Sequence, residues 1–226
     1  MPSSVFPRSI KVSEALSEVL AFGDSLTWGS RPDGLGRHAL RDRWPTVLAE
    51  GLPGVHIVAE GLRGRTTAFD RPTSSCDVNG ARVLPALLHS HAPLDLIIVM
   101  LGTNDIWEDH PLWQVEAGLS RVVEVIRHHA YRLVDARLPD ILLVAPPPII
   151  PSESEAITEA KIARSRDYPA SVARVAKTNG LPWFDAGTVA SPSPLDGVHL
   201  DATATRAIGM ALREPVSELL AQRERV

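Results

Sequence analysis

Four short polar segments carry the side chains with the most chemistry in them. Gly23-Asp24-Ser25-Leu26 follows the apolar run Val19 to Phe22, and its serine hydroxyl is a nucleophile if a base can reach it. Asp196-Gly197-Val198-His199 supplies such a base: an aspartate three residues before a histidine can hold one ring nitrogen while the other faces a hydroxyl. Gly102-Thr103-Asn104-Asp105 offers a side-chain amide that can donate to a developing oxyanion. Glu60-Gly61-Leu62-Arg63-Gly64-Arg65-Thr66-Thr67 offers a bare backbone N–H, at Gly64 or alternatively at Gly61.

Each segment alone has an ordinary explanation. Ser and Asp after a strand are frequent helix caps and turn formers, and Asn-Asp is a common local turn. Two glycines in a loop have many conformational uses. Together the four supply nucleophile, base, orienting acid and oxyanion donors, and unrelated accidents rarely complete such a set.

The elements that must position them follow from the apolar pattern. Val19–Phe22, Val55–Ala59, Leu96–Leu101, Ile141–Ala145 and the shorter Trp183–Phe184 read as strands. Leu96–Leu101 is apolar on both faces, as a central buried strand should be. Helical patterns lie at about 44–51, 81–90, 114–134, 155–179 and 202–221, with Pro169 expected to kink or break the fourth. Alternating strand and helix predicts a flavodoxin-like three-layer α/β/α sandwich around a five-stranded, mostly parallel sheet. In such a sheet, loops beyond the C-terminal strand ends frame the ligand site, so the segments 27–43 and 146–154 are candidates for shaping a pocket.

The whole chain sets outer bounds. Its 226 residues fit one domain, 1–226, with residues 1–18 as an N-terminal extension. The formal charge of −4 argues against nucleic acid as a bulk partner, since phosphate binding needs a basic face. The single cysteine, Cys76, excludes an internal disulfide and reads as a bystander in a polar loop. Arg8, Lys11, Glu14 and Glu18 interrupt the first eighteen residues, so no secretory signal is expected and a cytoplasmic location is the default. The apolar stretch Leu94–Leu101 is too short to cross a membrane.

The four blocks, in this order from Phe22 to His199, resemble those of the SGNH hydrolases, also called the GDSL esterase/lipase family. The strings Phe22–Gly29, Glu60-Gly61-Leu62 with Arg65-Thr66-Thr67, and Met100–Asp105 look like its bacterial arylesterase/acyltransferase branch. The resemblance implies a serine esterase of small acyl esters, with acyl transfer to alcohols or hydrogen peroxide as a side activity. It also implies a homo-oligomer; no cofactor or metal is expected, because a serine mechanism is complete without one. By chemistry and resemblance together, Ser25 is the nucleophile, His199 the base and Asp196 its orienter. Ser25 and Gly64 (backbone N–H) and Asn104 (side chain) are the oxyanion donors. Glu60 stands where the family's second block usually has Asn, which leaves Gly61 as the alternative donor. Trp28, Ile106 and Val198 are the expected substrate-lining residues, with Trp107 and Trp113 further candidates beside Ile106.

Two other readings stay open at this stage. An acetyl esterase of acetylated carbohydrate uses the same residues on a different ester. A non-catalytic, flavodoxin-like binding protein shares the fold, although no glycine-rich phosphate motif follows the first strand and the Asp196/His199 pair would serve no purpose in it. An α/β-hydrolase fits less well, because Thr27 stands where its nucleophile elbow needs glycine.

Overall fold

The computed structural model describes residues 16–131 and 137–223. Five strands form one sheet: β1 (Ser17–Gly23), β2 (Val55–Gly61), β3 (Leu96–Met100), β4 (Asp140–Ala145) and β5 (Trp183–Asp185). Their spatial order is β2-β1-β3-β4-β5, and every pairing is parallel rather than only most of them.

Strand alternation divides the core between two faces. Leu20, Phe22, Ile97, Val99, Ile141 and Leu143 point to one face. Helices α3 (Gly80–His91), α5 (Leu112–His128) and α6 (Glu159–Asn179) cover it, with Leu84, Leu88, Val115, Val122 and Val172 turned inward. Val19, Ala21, Ile98, Met100, Leu142 and Val144 point to the other face. There α2 (Trp44–Glu50), α7 (Ala202–Ala211) and α8 (Arg213–Arg223) close the third layer through Trp44, Leu48, Ile208 and Val216. Because side chains of a strand alternate with period two, a run apolar at every position fills both layers at once.

Two expectations about helices need correction. Pro169 neither breaks nor ends α6, which runs unbroken from Glu159 to Asn179. The one backbone bond it removes is outweighed by the buried side chains on either side, Tyr168 and Val172. The pattern 202–221 is two helices, because Pro215 has no N–H to offer the preceding turn and is accommodated in the first turn of a new helix, α8. Part of the pattern 114–134 (residues 132–134) and most of the segment 1–18 lie outside the described residues. No described helix is long and apolar enough to cross a membrane.

The chain leaves β1 for β2 on one side and returns to β3 on the other, so the order reverses at β1. That reversal opens a crevice beyond the C-terminal strand ends. Register makes those ends level: Gly23 pairs with both Gly61 and Met100. Ile98, fully buried in the middle strand, tests the layering. Ile98→Ala is expected to lower stability by about 2–5 kcal/mol in urea unfolding.

Candidate active site

The crevice is bounded by two very short helices that local periodicity does not reveal. α1 (Ser25–Trp28) starts directly beyond β1, with Asp24 as its N-cap: Asp24 Oδ1 accepts the Leu26 N–H at 2.9 Å. The turn into it needs glycine at 23, since a Cβ there would come within 2.0 Å of Thr27 Oγ1 and 2.9 Å of the Met100 carbonyl. Ser25 therefore sits at the helix start, 6% exposed. α4 (Thr103–Trp107) begins beyond β3 from Gly102, whose φ of 115° only glycine adopts without strain. A Cβ on Gly102 would also lie 2.4 Å from the Tyr168 ring, whose hydroxyl donates to the Leu101 carbonyl at 3.1 Å.

The structure brings the three residues of the proposed relay into line. His199 Nε2 lies 3.0 Å from Ser25 Oγ, and its Nδ1 lies 2.6 Å from Asp196 Oδ2. Asp196 is itself fixed, because its Oδ1 accepts the backbone N–H groups of Val198 and His199 at 3.0 and 2.9 Å. The loop is tied off by Ser193 N–H to the His199 carbonyl at 2.8 Å and Ile150 N–H to the Gly197 carbonyl at 2.9 Å. An imidazole held at Nδ1 by a carboxylate presents Nε2 as a proton acceptor to the hydroxyl.

On the other side of Ser25, the Asn104 side-chain amide donates to the Arg65 carbonyl at 3.0 Å and lies 3.4 Å from Asp24 Oδ2. Gly64 and Asn104 line the same cavity as Ser25 and His199, a cleft of about 690 Å³. Gly61 does not line it. A Cβ on Gly61 would lie 2.1 Å from the Trp28 nitrogen, so that glycine serves close packing of β2 against α1.

Two buried carboxyls brace this arrangement from below. Asp105 accepts the Thr67 N–H with both oxygens (3.1 and 3.0 Å) and the Thr67 hydroxyl at 2.5 Å. It thereby fastens the loop carrying Gly64 to the helix carrying Asn104, and burial raises its pKa. Burial, with a smaller contribution from the charge of Asp105, lifts Asp24 from 3.8 to about 7. Arg65 is buried over the Phe22 ring at 4.3 Å and donates to the carbonyls of Gly23 and Glu60; among the described residues it makes no ion pair with a carboxylate.

The expected lining residues fare unequally. Val198 and Trp107 line the cavity. Ile106 does not: it is 1% exposed and packed in the core. In a helix, residue 106 lies about 200° round from Asn104, while 107 shares its face. Trp28 stands one layer back, its ring 5.5 Å from the guanidinium of Arg63, which does line the cavity. Trp113 is 69% exposed and lies outside it. The segment 27–43 contributes nothing to the wall, and 146–154 contributes only Ser154. Sequence reasoning missed the wall built by Leu62, Arg63, Arg71, Ser74 and Leu195 and left Cys76 a bystander, although it too faces the cleft. The signal for the 62–78 stretch was its departure from the C-terminal end of β2, beside the reversal. Among the described residues no group of three or more His, Cys, Asp or Glu side chains could hold a metal ion.

The chain is similar to several known proteins. Residues 21–207 match the model of the GDSL-like lipase/acylhydrolase family. An arylesterase of Vibrio mimicus is 28% identical over 126 residues, so the match spans about half (54%) of either protein's length. Among solved structures, a carbohydrate acetylesterase family member from Sinorhizobium meliloti is similar with a TM-score of 0.88 and 43% identity, over 91% of this chain and 100% of that one. An aryl esterase of M. smegmatis is similar with a TM-score of 0.83 and 36% identity, over 90% and 99%.

Asp24 gives a pH test of the buried floor. Its folded carboxyl holds the proton more tightly than the unfolded one. It therefore favours folding while protonated, and that advantage is lost as pH rises through about 7. Asp24→Asn keeps a capping oxygen but cannot ionise. Urea unfolding at pH 5 and pH 8 should show the variant gaining on the wild type at the higher pH, by about 1.4 kcal/mol for each pH unit between 5 and the folded pKa of about 7. A stability difference independent of pH would show that Asp24 titrates normally.

Proposed function

The chain belongs to the GDSL-like lipase/acylhydrolase family, and from that premise we propose that it is a serine esterase acting on small acyl esters through an acyl-enzyme. The observation that carries the reading is the unbroken line from Asp196 through His199 to Ser25, at 2.6 and 3.0 Å, opening on one cleft with Asn104 and Gly64.

In this reading Ser25 Oγ attacks the ester carbonyl as His199 Nε2 takes its proton. The tetrahedral oxyanion is met by the backbone N–H groups of Ser25 and Gly64 and by the Asn104 amide. The adduct collapses, His199 returns the proton to the leaving oxygen, and the acyl group stays on Ser25. Water, activated by the same imidazole, then releases the acid. Asp196 stabilises the imidazolium in both halves without itself taking the proton. An alcohol or hydrogen peroxide entering in place of water would give acyl transfer by the same route.

Aryl and short alkyl esters are the favoured substrates, because Leu62, Val78, Trp107 and Val198 give the cleft apolar surface and its volume of about 690 Å³ holds a ring. A second reading, hydrolysis of acetylated carbohydrate, is favoured by the hydroxyls of Ser74, Ser75 and Ser154 on the same wall.

With p-nitrophenyl acetate, Ser25→Ala and His199→Ala are expected to lower kcat by about 10⁴-fold or more. Asn104→Ala should lower it by about 10²–10³-fold, as loss of one oxyanion donor does. Near-wild-type turnover in either of the first two variants contradicts the relay. Across p-nitrophenyl esters of increasing acyl length, the rate optimum is expected between acetate and butyrate, and an optimum at octanoate or beyond contradicts the small-acyl reading.

A further inference from the structure

The charges around the cleft do not balance. The titratable side chains on its wall are Arg63, Arg71, Cys76, Asp196 and His199. Asp196 is engaged with His199. Arg71 is paired with Glu108 at 2.5 Å and also donates to the Gly64 carbonyl at 3.3 Å, so its charge is answered and its position fixed. Arg63 has no such partner. Among the described residues it makes no ion pair, and its guanidinium rests over the Trp28 ring at 5.5 Å.

Trp28 is held in turn. It ends α1, and Arg37 both lies over the same ring at 4.9 Å and donates from Nε to the Trp28 carbonyl. An aromatic ring attracts a cation through its quadrupole and restrains the guanidinium without neutralising it. Arg63 is thus a braced, uncancelled positive charge at the edge of the cleft.

Its place relative to the chemistry decides what it would meet. Ser25 is nearly buried, so the acyl carbon is fixed in the closed part of the cleft. Arg63, Ser75 and Cys76 are exposed and mark the open side, from which a departing alcohol reaches solvent. We propose that Arg63, braced on Trp28, makes the open side of the cleft selective for esters whose leaving group carries a carboxylate. The hydroxyls of Ser74 and Ser75 are the neutral hydrogen-bond donors available to the same group. This rests on the esterase reading and sharpens its substrate class.

Two matched aryl acetates test it: 4-acetoxybenzoate, with an anionic leaving group, and its methyl ester, which is neutral. The quantity read is the ratio of their kcat/KM values, which cancels differences in enzyme quality between preparations. In low-salt buffer the ratio in the wild type is expected to exceed that in Arg63→Gln by about two- to fivefold, the range of an exposed charge pair. Arg63→Lys should keep most of the wild-type ratio, because it keeps the charge. Trp28→Leu should lower it, because the brace is gone. Raising the wild type to 1 M NaCl should bring its ratio to that of Arg63→Gln, since the screening length falls to about 3 Å. Equal ratios in wild type and Arg63→Gln at low salt would overturn the selectivity, while turnover of the methyl ester would leave the esterase reading standing. Failure of the wild type to hydrolyse either ester faster than Ser25→Ala would remove both.

Discussion

A serine hydroxyl is a poor nucleophile until a base lies within hydrogen-bond reach, and here that base is 174 residues further along the chain. The 3.0 Å contact between His199 Nε2 and Ser25 Oγ is therefore the constraint to which the rest of the molecule answers. The parallel sheet fixes one partner, since α1 can start only where β1 ends. The other is fixed by a loop that folds on itself through Asp196 and Ser193 before α7 begins. Neither end depends on a long flexible segment.

The same economy holds on the oxyanion side. Gly64 and Asn104 come from different strand ends, and the Thr67–Asp105 hydrogen bonds and the Arg71–Glu108 pair join those ends twice. The first join is buried and, among the described residues, makes no ion pair, so it relies on three donated contacts from one threonine. Asp24 is buried close by, and both carboxyls are pushed toward the neutral form. Burying such groups costs stability unless they are well bonded. Their presence next to Ser25 and Asn104 in the chain fits the general pattern of polar groups retained at a site for position rather than for stability.

Much of this was legible in the residues. β1, β3 and β4 announce themselves as short apolar runs between turn-forming residues, and the polar blocks fall at the ends of β1, β2 and β3 and just before α7. The fold class and family follow from that arrangement. Less legible was anything that depends on a helix of one turn. Residues 103–107 are too few to show a period, so Ile106 passed for a wall residue when the helical turn puts Trp107 there. Trp28 illustrates a different limit: adjacency to the nucleophile in sequence says nothing about which side of α1 a ring takes. The wall formed by residues 62–78 depends on how a loop doubles back, and no local pattern encodes that. Pro169 and Pro215 carry the same chemistry with opposite outcomes: Pro169 lies within an unbroken α6, whereas Pro215 sits in the first turn of α8, where its missing N–H has no partner to lose.

The central claim is that Ser25 is the activated nucleophile of this cleft. Reaction with a fluorophosphonate followed by peptide mass spectrometry tests it most directly, because the reagent bonds only to a serine whose hydroxyl is already activated. The account predicts one adduct, on the peptide containing Ser25, that is absent in Ser25→Ala and strongly slowed in His199→Ala. An unlabelled wild-type protein, or an adduct on any other residue, would contradict it.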